Sequence, residues 1–174
     1  LLITFFLTVI VDLTVAIEVG VVLAIVLFVR RVMQTSHISV LDGQKVAATE
    51  DDEAASMENT DRLDIPSGVE VYEIDGPFFF GIANKFEEMA RTRSKATVRI
   101  IRMRKVSFID ATGIHNLEIF IDSSLSGDRK IILSGVNENV FRSLNRSGIV
   151  AKVGKENILD TIHKAVDRAF EVAQ

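Results

Sequence analysis

The first 29 residues of the chain form one apolar run that charged residues interrupt only twice. Asp12 and Glu18 are those two residues, and Arg30 and Arg31 follow the run directly. One helix over this run would be about 43 Å long, whereas the hydrocarbon core of a bilayer is about 30 Å thick. Because Asp and Thr are good N-caps, we expect a break at residues 12–14. Residues 1–31 are therefore predicted to be the C-terminal membrane helices of a larger membrane domain. Residues 1–11 would be the end of one helix, and residues 14–29 would form the next.

The two acidic residues of this segment have a structural and a functional interpretation. Asp12 would cap the second helix, and Glu18 would lie in its first turn, where a carboxylate favours the positive end of the helix dipole. Alternatively, these carboxylates are intramembrane polar groups, which in membrane proteins usually serve function. Arg30 and Arg31 mark the cytoplasmic end by the positive-inside rule. We therefore expect a multi-pass protein of the cell membrane, with further membrane segments upstream of Leu1 and a cytoplasmic remainder.

Residues 32–68 separate the membrane segment from the rest of the chain. From Asp42 to Gly68 they are rich in acidic residues and poor in large apolar ones. Such a composition buries too little apolar surface to offset the entropy lost on ordering. We interpret residues 32–68 as an acidic linker, flexible or weakly helical, in preference to an acidic recognition motif.

Residues 69–174 show the alternating strand and helix patterns that are typical of an α/β domain. Asp75-Gly76 is a strong hairpin signal between the first two predicted strands, and Gly148 is predicted to end a helix as its C′ residue. The expected order is ββαβαβαβα, a mixed β-sheet with its helices mainly on one face. The predicted strands are 69–74, 77–82, 96–104, 130–135 and 149–153, and the predicted helices are 83–93, 114–125, 137–148 and 157–173.

The composition excludes several kinds of site. The chain has no cysteine, so disulfides and thiolate metal ligands are excluded. Its three histidines lie far apart and form no metal-ligand spacing. The chain is slightly acidic, lacks tryptophan and shows no basic stripe, so nucleic-acid binding is not predicted. No glycine-rich nucleotide motif occurs either. From these features together we predict no metal, no cofactor and no enzymatic activity.

The turn "DATG" at residues 110–113 is the main candidate site. It connects an apolar run to a helix, so a phosphate on Thr112 would face unpaired N–H groups and the positive end of the helix dipole. In the structural interpretation, Asp110 or Thr112 caps the helix and Gly113 permits tight packing. Nucleophilic catalysis is not predicted, because no general base is evident and His115 lies about one turn further on.

Three arginines, Arg99, Arg102 and Arg104, lie in the third predicted strand. We expect them to be solvated charges on an edge or an outer face. The alternative is a site for an anionic partner or a nucleotide phosphate.

Three stretches of the sequence resemble one known family. They are "VDLTVAIEVGVVLAIVLFVRR" (11–31), "YEIDGPFFFGIANKF" (72–86) and "RIIRMRKVSFIDATGIHNLE" (99–118). Together they are similar to the C-terminal part of the SulP anion transporters, which are sulfate permease-like proteins. In that family the last membrane helices precede a STAS domain (sulfate transporter and anti-sigma-factor antagonist). The resemblance covers most of the chain outside the acidic linker.

The resemblance implies a secondary transporter of sulfate, bicarbonate or a related anion, such as a symporter, that sits in the lipid bilayer as a homodimer. Its membrane core would bind the anion near broken helices, so the transport-site residues would lie upstream of this chain. The STAS domain would serve regulation, assembly or targeting, with a cytosolic regulatory protein as a partner.

The resemblance also gives the DATG turn a second meaning. In the soluble anti-sigma-factor antagonists the turn reads Asp-Ser-Ser/Thr-Gly, and a partner kinase phosphorylates the second hydroxyl. Thr112 matches that second position, whereas Ala111 replaces the first hydroxyl. The alternative function is therefore a membrane-tethered signalling module of the antagonist type that phosphorylation at Thr112 would switch, with Asp110 and Gly113 shaping the turn.

Overall fold

The computed structural model describes residues 2, 5, 6, 12–35, 37–41, 65–79 and 96–173. They belong to two compact units, Leu1–Thr35 and Ser36–Gln174. Most of the helix predicted at 1–11, most of the predicted linker and the helix predicted at 83–93 lie outside the described residues.

Among the described residues, the N-terminal unit contains one long helix, α1 (Leu13–Thr35). It begins at the predicted break, where Thr14 N donates a hydrogen bond to Asp12 Oδ1 at 2.7 Å. Residues Leu13–Arg31 have a mean hydropathy of 2.4, so this part of α1 is long and apolar enough to cross a membrane. Glu18 lies beyond the first turn of α1 and is exposed, so its interpretation as a first-turn acid is wrong.

The C-terminal unit is built on a five-stranded sheet with the spatial order β1-β2-β3-β4-β5. β1 pairs with β2 in the antiparallel direction, and the other three pairs are parallel. The mixed sheet predicted from the sequence is therefore confirmed. Its strands are β1 (His37–Leu41), β2 (Val69–Asp75), β3 (Val98–Lys105), β4 (Lys130–Ser134) and β5 (Ile158–Leu159).

The antiparallel neighbour of β2 is β1, which comes from residues that the sequence analysis assigns to the acidic linker. The hairpin predicted at Asp75-Gly76 is wrong, because the two neighbours of β2 are β1 and β3. Gly76 has a φ of +91°, which turns the chain away from β2 at its end. In residues 76–79 the pairing is limited to one parallel bridge between Phe78 and Ile109, and residues 80–82 lie outside the described part.

Three of the predicted helices after β3 are present, although the last begins five residues later than predicted because residues 158–159 form β5. They are α2 (Ala111–Leu125), α3 (Glu138–Arg146) and α5 (Ile162–Val172). Gly148 follows the end of α3 with a φ of +85°, which confirms it as the C′ residue.

The predicted edge strand "IVAKV" is wrong, because these residues form a short helix, α4 (Ile149–Val153). Its buried residues Ile149, Val150 and Val153 are spaced so that one helical face covers all three. This burial outweighs the β propensity of the run. The edge strand of the sheet is β5, and the terminal helix α5 starts after it, with Thr161 as its N-cap.

The two faces of the sheet carry separate cores. On one face α2, α3 and α4 pack against the strands, with Phe120 and Ile101 among the fully buried residues. On the other face α5 packs against the strands, with Ala165 and Ile100 among the buried residues. Ile100 and Ile101 serve opposite cores because successive side chains of a strand point to opposite faces. Most of the described helices thus lie on one face, as predicted.

Candidate functional site

The candidate turn lies at the carboxyl edge of the sheet, where the parallel strands β2, β3 and β4 all end. In open α/β sheets this is the edge at which ligands bind. Phe78 N donates a hydrogen bond to the carbonyl of Phe108 at 3.0 Å, and Asp110 N donates one to the carbonyl of Phe78 at 3.2 Å. The connections that follow β2 and β3 are thereby held together beside the start of α2.

Asp110 is the N-cap of α2. Its backbone is extended, with a φ of −91° and a ψ of 178°. Its Oδ1 accepts a hydrogen bond from Gly113 N at 2.6 Å. The predicted cap is confirmed, and Asp110 rather than Thr112 provides it.

Thr112 is the second residue of α2, and its side chain is exposed. Since Asp110 makes the cap, Thr112 is not needed to begin the helix. A phosphate here would meet the unpaired N–H groups of the helix N-terminus and the like charge of Asp110 nearby. The regulatory role of Thr112 stays a prediction.

Gly113 stands where the backbone of another segment comes very close. A Cβ at this position would lie 2.5 Å from the carbonyl oxygen of Phe78 and 3.0 Å from Cγ1 of Ile109. The absence of a side chain therefore lets α2 start directly against the connection after β2. This close approach supports the predicted role of Gly113 in shaping the turn.

Two aromatic rings border the turn, and the sequence analysis did not single out Phe108. Phe79 is nearly buried, whereas Phe108 is 51% exposed. Their rings stack with centroids 6.5 Å apart and planes inclined by 26°. The sequence pattern does not predict this exposure, because Phe108 lies in an apolar run before the turn, and such runs are usually buried.

The solvent exposure that the sequence predicted for the three arginines of β3 is wrong for two of them. Arg99 is 0% and Arg102 is 3% exposed, whereas Arg104 is partly exposed. Three of the four basic residues of β3 face an acidic residue of β2 in the parallel register. These pairs are Glu70 with Arg99, Glu73 with Arg102, and Asp75 with Lys105. The similar spacing of acids at 70, 73 and 75 and of bases at 99, 102 and 105 is the sequence signal that would have revealed the pairing.

Arg99 is the central member of a buried polar cluster between the sheet and α2. Its Nε lies 3.3 Å from Glu70 Oε2, and its Nη1 donates a hydrogen bond to Ser124 Oγ at 2.8 Å. The guanidinium carbon lies 4.9 Å from the centre of the Phe120 ring. Tyr72 OH donates to the same Glu70 oxygen at 2.8 Å. The cluster joins β2, β3 and α2, which favours a structural role for Arg99 over an anion site.

Lys105 is the basic residue of this series at the carboxyl edge. Its Nζ lies 3.1 Å from Asp75 Oδ2 and 3.6 Å from Glu73 Oε1. The hydrogen bond to Asp75 raises the pKa of Lys105 above its ordinary value. Its charge is therefore already balanced by two carboxylates. Across the part of the chain that the structure describes, no cluster of His, Asp and Glu could hold a metal ion.

A mixed sheet with α2 starting from a capped turn at its carboxyl edge defines a small α/β domain. The sequence profile of the STAS domain matches residues 62–167. The chain belongs to the STAS domain family.

Three proteins similar to this chain carry names of anion transporters or of a transporter family. A Bacillus subtilis protein named as a sulfate transporter, YvdB, is 27% identical over 90% of this chain and 27% of its own length. The bicarbonate transporter BicA of Picosynechococcus is 26% identical over 94% of this chain and 28% of its own length. The crystal structure of a sulfate transporter family protein from Wolinella succinogenes is 40% identical, with a TM-score of 0.60, and covers 63% of this chain and 90% of that chain. The chain thus spans about a quarter of the length of the curated relatives it matches.

Proposed function

We propose that the chain is the C-terminal part of a secondary anion transporter and that its STAS domain regulates, assembles or targets that transporter. One observation carries this proposal: a helix of membrane-crossing length is followed, after the single residue Ser36, by the first strand of a STAS sheet. The names of the relatives support sulfate, bicarbonate or a related anion as the substrate. The STAS domain then lies on the cytoplasmic side of the cell membrane, because Arg30 and Arg31 follow the apolar span.

The test is anion uptake by liposomes that contain the full-length protein. We expect saturable uptake of labelled sulfate or bicarbonate, and a strong loss of uptake or of membrane targeting when residues 36–174 are deleted. The deletion starts at Ser36 because a cut at Val69 would leave β1 without its partner strand. The control is Lys164→Met, which changes a well-exposed side chain. Inserted protein that moves neither anion would refute transport, and unchanged uptake and targeting after the deletion would refute the role of the STAS domain.

We further propose that the transporter is a homodimer and that a cytosolic protein binds its STAS domain. Both come from the resemblance to the SulP proteins. Chemical cross-linking of the protein in native membranes tests the first: a cross-linked species of twice the monomer mass is expected, and a purely monomeric pattern would argue against it.

A second candidate function is a phosphorylation switch at Thr112. The observation that favours it is that Thr112 is exposed while Asp110 supplies the cap, so a modification leaves the start of α2 intact. Protein isolated from its own cells should then contain phosphate on Thr112. Thr112→Glu should change transport or partner binding, and Thr112→Ala should abolish the change that phosphorylation causes. Ser123, which is exposed on the same helix, serves as the control position. Unmodified Thr112, together with equal behaviour of the Glu and Ala variants, would exclude the switch.

A further inference from the structure

The sheet is joined to α1 at its carboxyl edge. α1 ends at Thr35 and β1 begins at His37. β1 runs antiparallel to β2, so that His37 pairs with Asp75 at the end of β2, and Asp75 in turn pairs with Lys105 at the end of β3. The chain therefore enters the sheet at the same edge that carries the Asp110 turn.

The connection between the apolar span and this edge is short. The apolar span ends at Arg31, and α1 continues only to Thr35. The four helical residues 32–35 and the single residue between α1 and β1 can span at most about 10 Å along the chain. The amino edge of the sheet lies beyond the far end of β1, about 17 Å further for five strand residues. Of the two edges, the carboxyl edge is therefore the one that the chain reaches first after α1.

An exposed aromatic ring lies at this edge. Phe108 follows β3 directly, and half of its surface is exposed although its neighbour Phe79 is nearly buried. The backbone hydrogen bond between Phe108 and Phe78 fixes the segment that presents the ring. Lys105 nearby is paired with Asp75 and Glu73, so the edge offers an apolar ring beside balanced charges rather than a cationic patch. Aromatic side chains of this kind are favoured at the boundary between headgroups and acyl chains.

We propose that Phe108, at the carboxyl edge of the STAS sheet, contacts the surface of the lipid bilayer that α1 enters. The proposal rests on the proposed function in that α1 must be inserted in a membrane. The short chain between Arg31 and His37 limits how far this edge can move from a bilayer that holds α1, which favours lipid over a soluble partner. The contact is apolar, so it should depend little on salt or on the charge of the headgroups.

The chain contains no tryptophan, so a single Phe108→Trp substitution introduces a unique fluorophore. The full 174-residue chain is reconstituted in phosphatidylcholine vesicles whose acyl chains are brominated close to the headgroup, with and without phosphatidylglycerol. The matched control is Phe170→Trp: Phe170 is 50% exposed, close to Phe108 at 51%, and lies near the end of α5, the helix that leads away from the carboxyl end of β5. Both variants are first checked for unchanged secondary structure by circular dichroism. Flotation of the vesicles shows whether α1 is inserted.

We expect the emission of the Phe108→Trp variant to shift to shorter wavelength and to be mostly lost in brominated vesicles, equally with and without the anionic lipid and at high salt. The Phe170→Trp variant should keep its emission and remain accessible to aqueous iodide. If the chain floats with the vesicles but brominated lipid quenches neither variant, or quenches both alike, the proposal is wrong. Protection of the Phe108→Trp variant from iodide without quenching by brominated lipid would also refute it, because a second copy or another protein would then cover the ring. A chain that does not float would refute the membrane insertion of α1, and hence the proposed function itself.

Discussion

Replacing Glu70 with glutamine should destabilise the STAS domain more than replacing its partner Arg99 with methionine. The two side chains differ in burial: that of Arg99 is 0% exposed and that of Glu70 is 17% exposed. Glu70→Gln leaves a buried guanidinium without its counter-charge, and Arg99 Nη2 already has no hydrogen-bond partner among the described residues. Arg99→Met instead leaves a carboxylate that reaches water and still accepts from Tyr72 OH.

The magnitudes follow from these environments. Removing one partner of a buried ion pair costs about 3–5 kcal/mol. Because Glu70 is partly exposed, Glu70→Gln should cost about 3 kcal/mol, the lower end of that range. Arg99→Met loses a charged hydrogen bond to Ser124, worth about 1.5–3 kcal/mol, while the methionine still packs against Phe120. Ser124 Oγ is not left unpaired, since it donates to the carbonyl of Phe120 at 2.7 Å. The double variant has no buried charge, and its stability should therefore resemble that of Arg99→Met.

The assay is urea unfolding of residues 36–174, a compact unit by itself, with circular dichroism as the signal. The slope of the unfolding free energy against urea should stay the same in all variants, so that shifts in midpoint report stability. The control is Lys164→Met, which breaks an exposed ion pair with Asp160 and should cost less than about 1 kcal/mol. Equal losses for Glu70→Gln and Arg99→Met, or additive losses in the double variant, would refute the reasoning from burial.

Three further predictions concern Tyr72 and the turn. Burial, followed by the hydrogen bond to Glu70, raises the pKa of Tyr72, the one tyrosine of the chain. The folded domain should therefore show no tyrosinate absorbance at about pH 11, whereas the tyrosine of the chain unfolded in urea should titrate at about pH 10. Because the folded state holds this proton more tightly, its contribution to stability is complete below about pH 10 and falls as the pH rises further, by about 1.4 kcal/mol per unit. A native titration at the ordinary pKa would contradict this. Asp110→Ala should lower the free energy of unfolding by about 1 kcal/mol, with Asp110→Asn nearly neutral; a similar loss in Thr112→Ala would show that the cap is misassigned. Gly113→Ala should cost about 1–3 kcal/mol in the same assay, because its Cβ meets the Phe78 carbonyl; a stabilised variant would exclude that close contact.

Much of the fold could be predicted because its signals are local. The break at Asp12, the cap at Asp110 and the helix end at Gly148 each depend on residues within one turn. Helix caps act through hydrogen bonds over two to four residues, so short sequence windows contain the whole interaction. The apolar span of α1 is local in the same sense, because length and hydropathy decide it.

The errors occur where distant segments decide the structure. β1 is a five-residue strand whose partner starts at Val69, beyond the acidic segment, and nothing near residues 37–41 indicates that pairing. "IVAKV" has strong β propensity, but its buried side chains lie against one face of the sheet as a helical turn. In both cases burial against non-local neighbours outweighs the local preference.

The candidate site divides in the same way. The residue types alone were enough to predict that Asp110, Thr112 and Gly113 form a turn before a helix, since caps and glycine turns are local chemistry. The contact of the Phe78 carbonyl with Gly113 and the exposure of Phe108, at the edge where the chain enters the sheet, arise only in the folded domain. The same holds for Arg99, whose charge is buried because Glu70 of a neighbouring strand and Phe120 of α2 come together around it. The physical reason is that burial, register and close approach are properties of segments far apart in sequence, which meet only when the sheet is assembled.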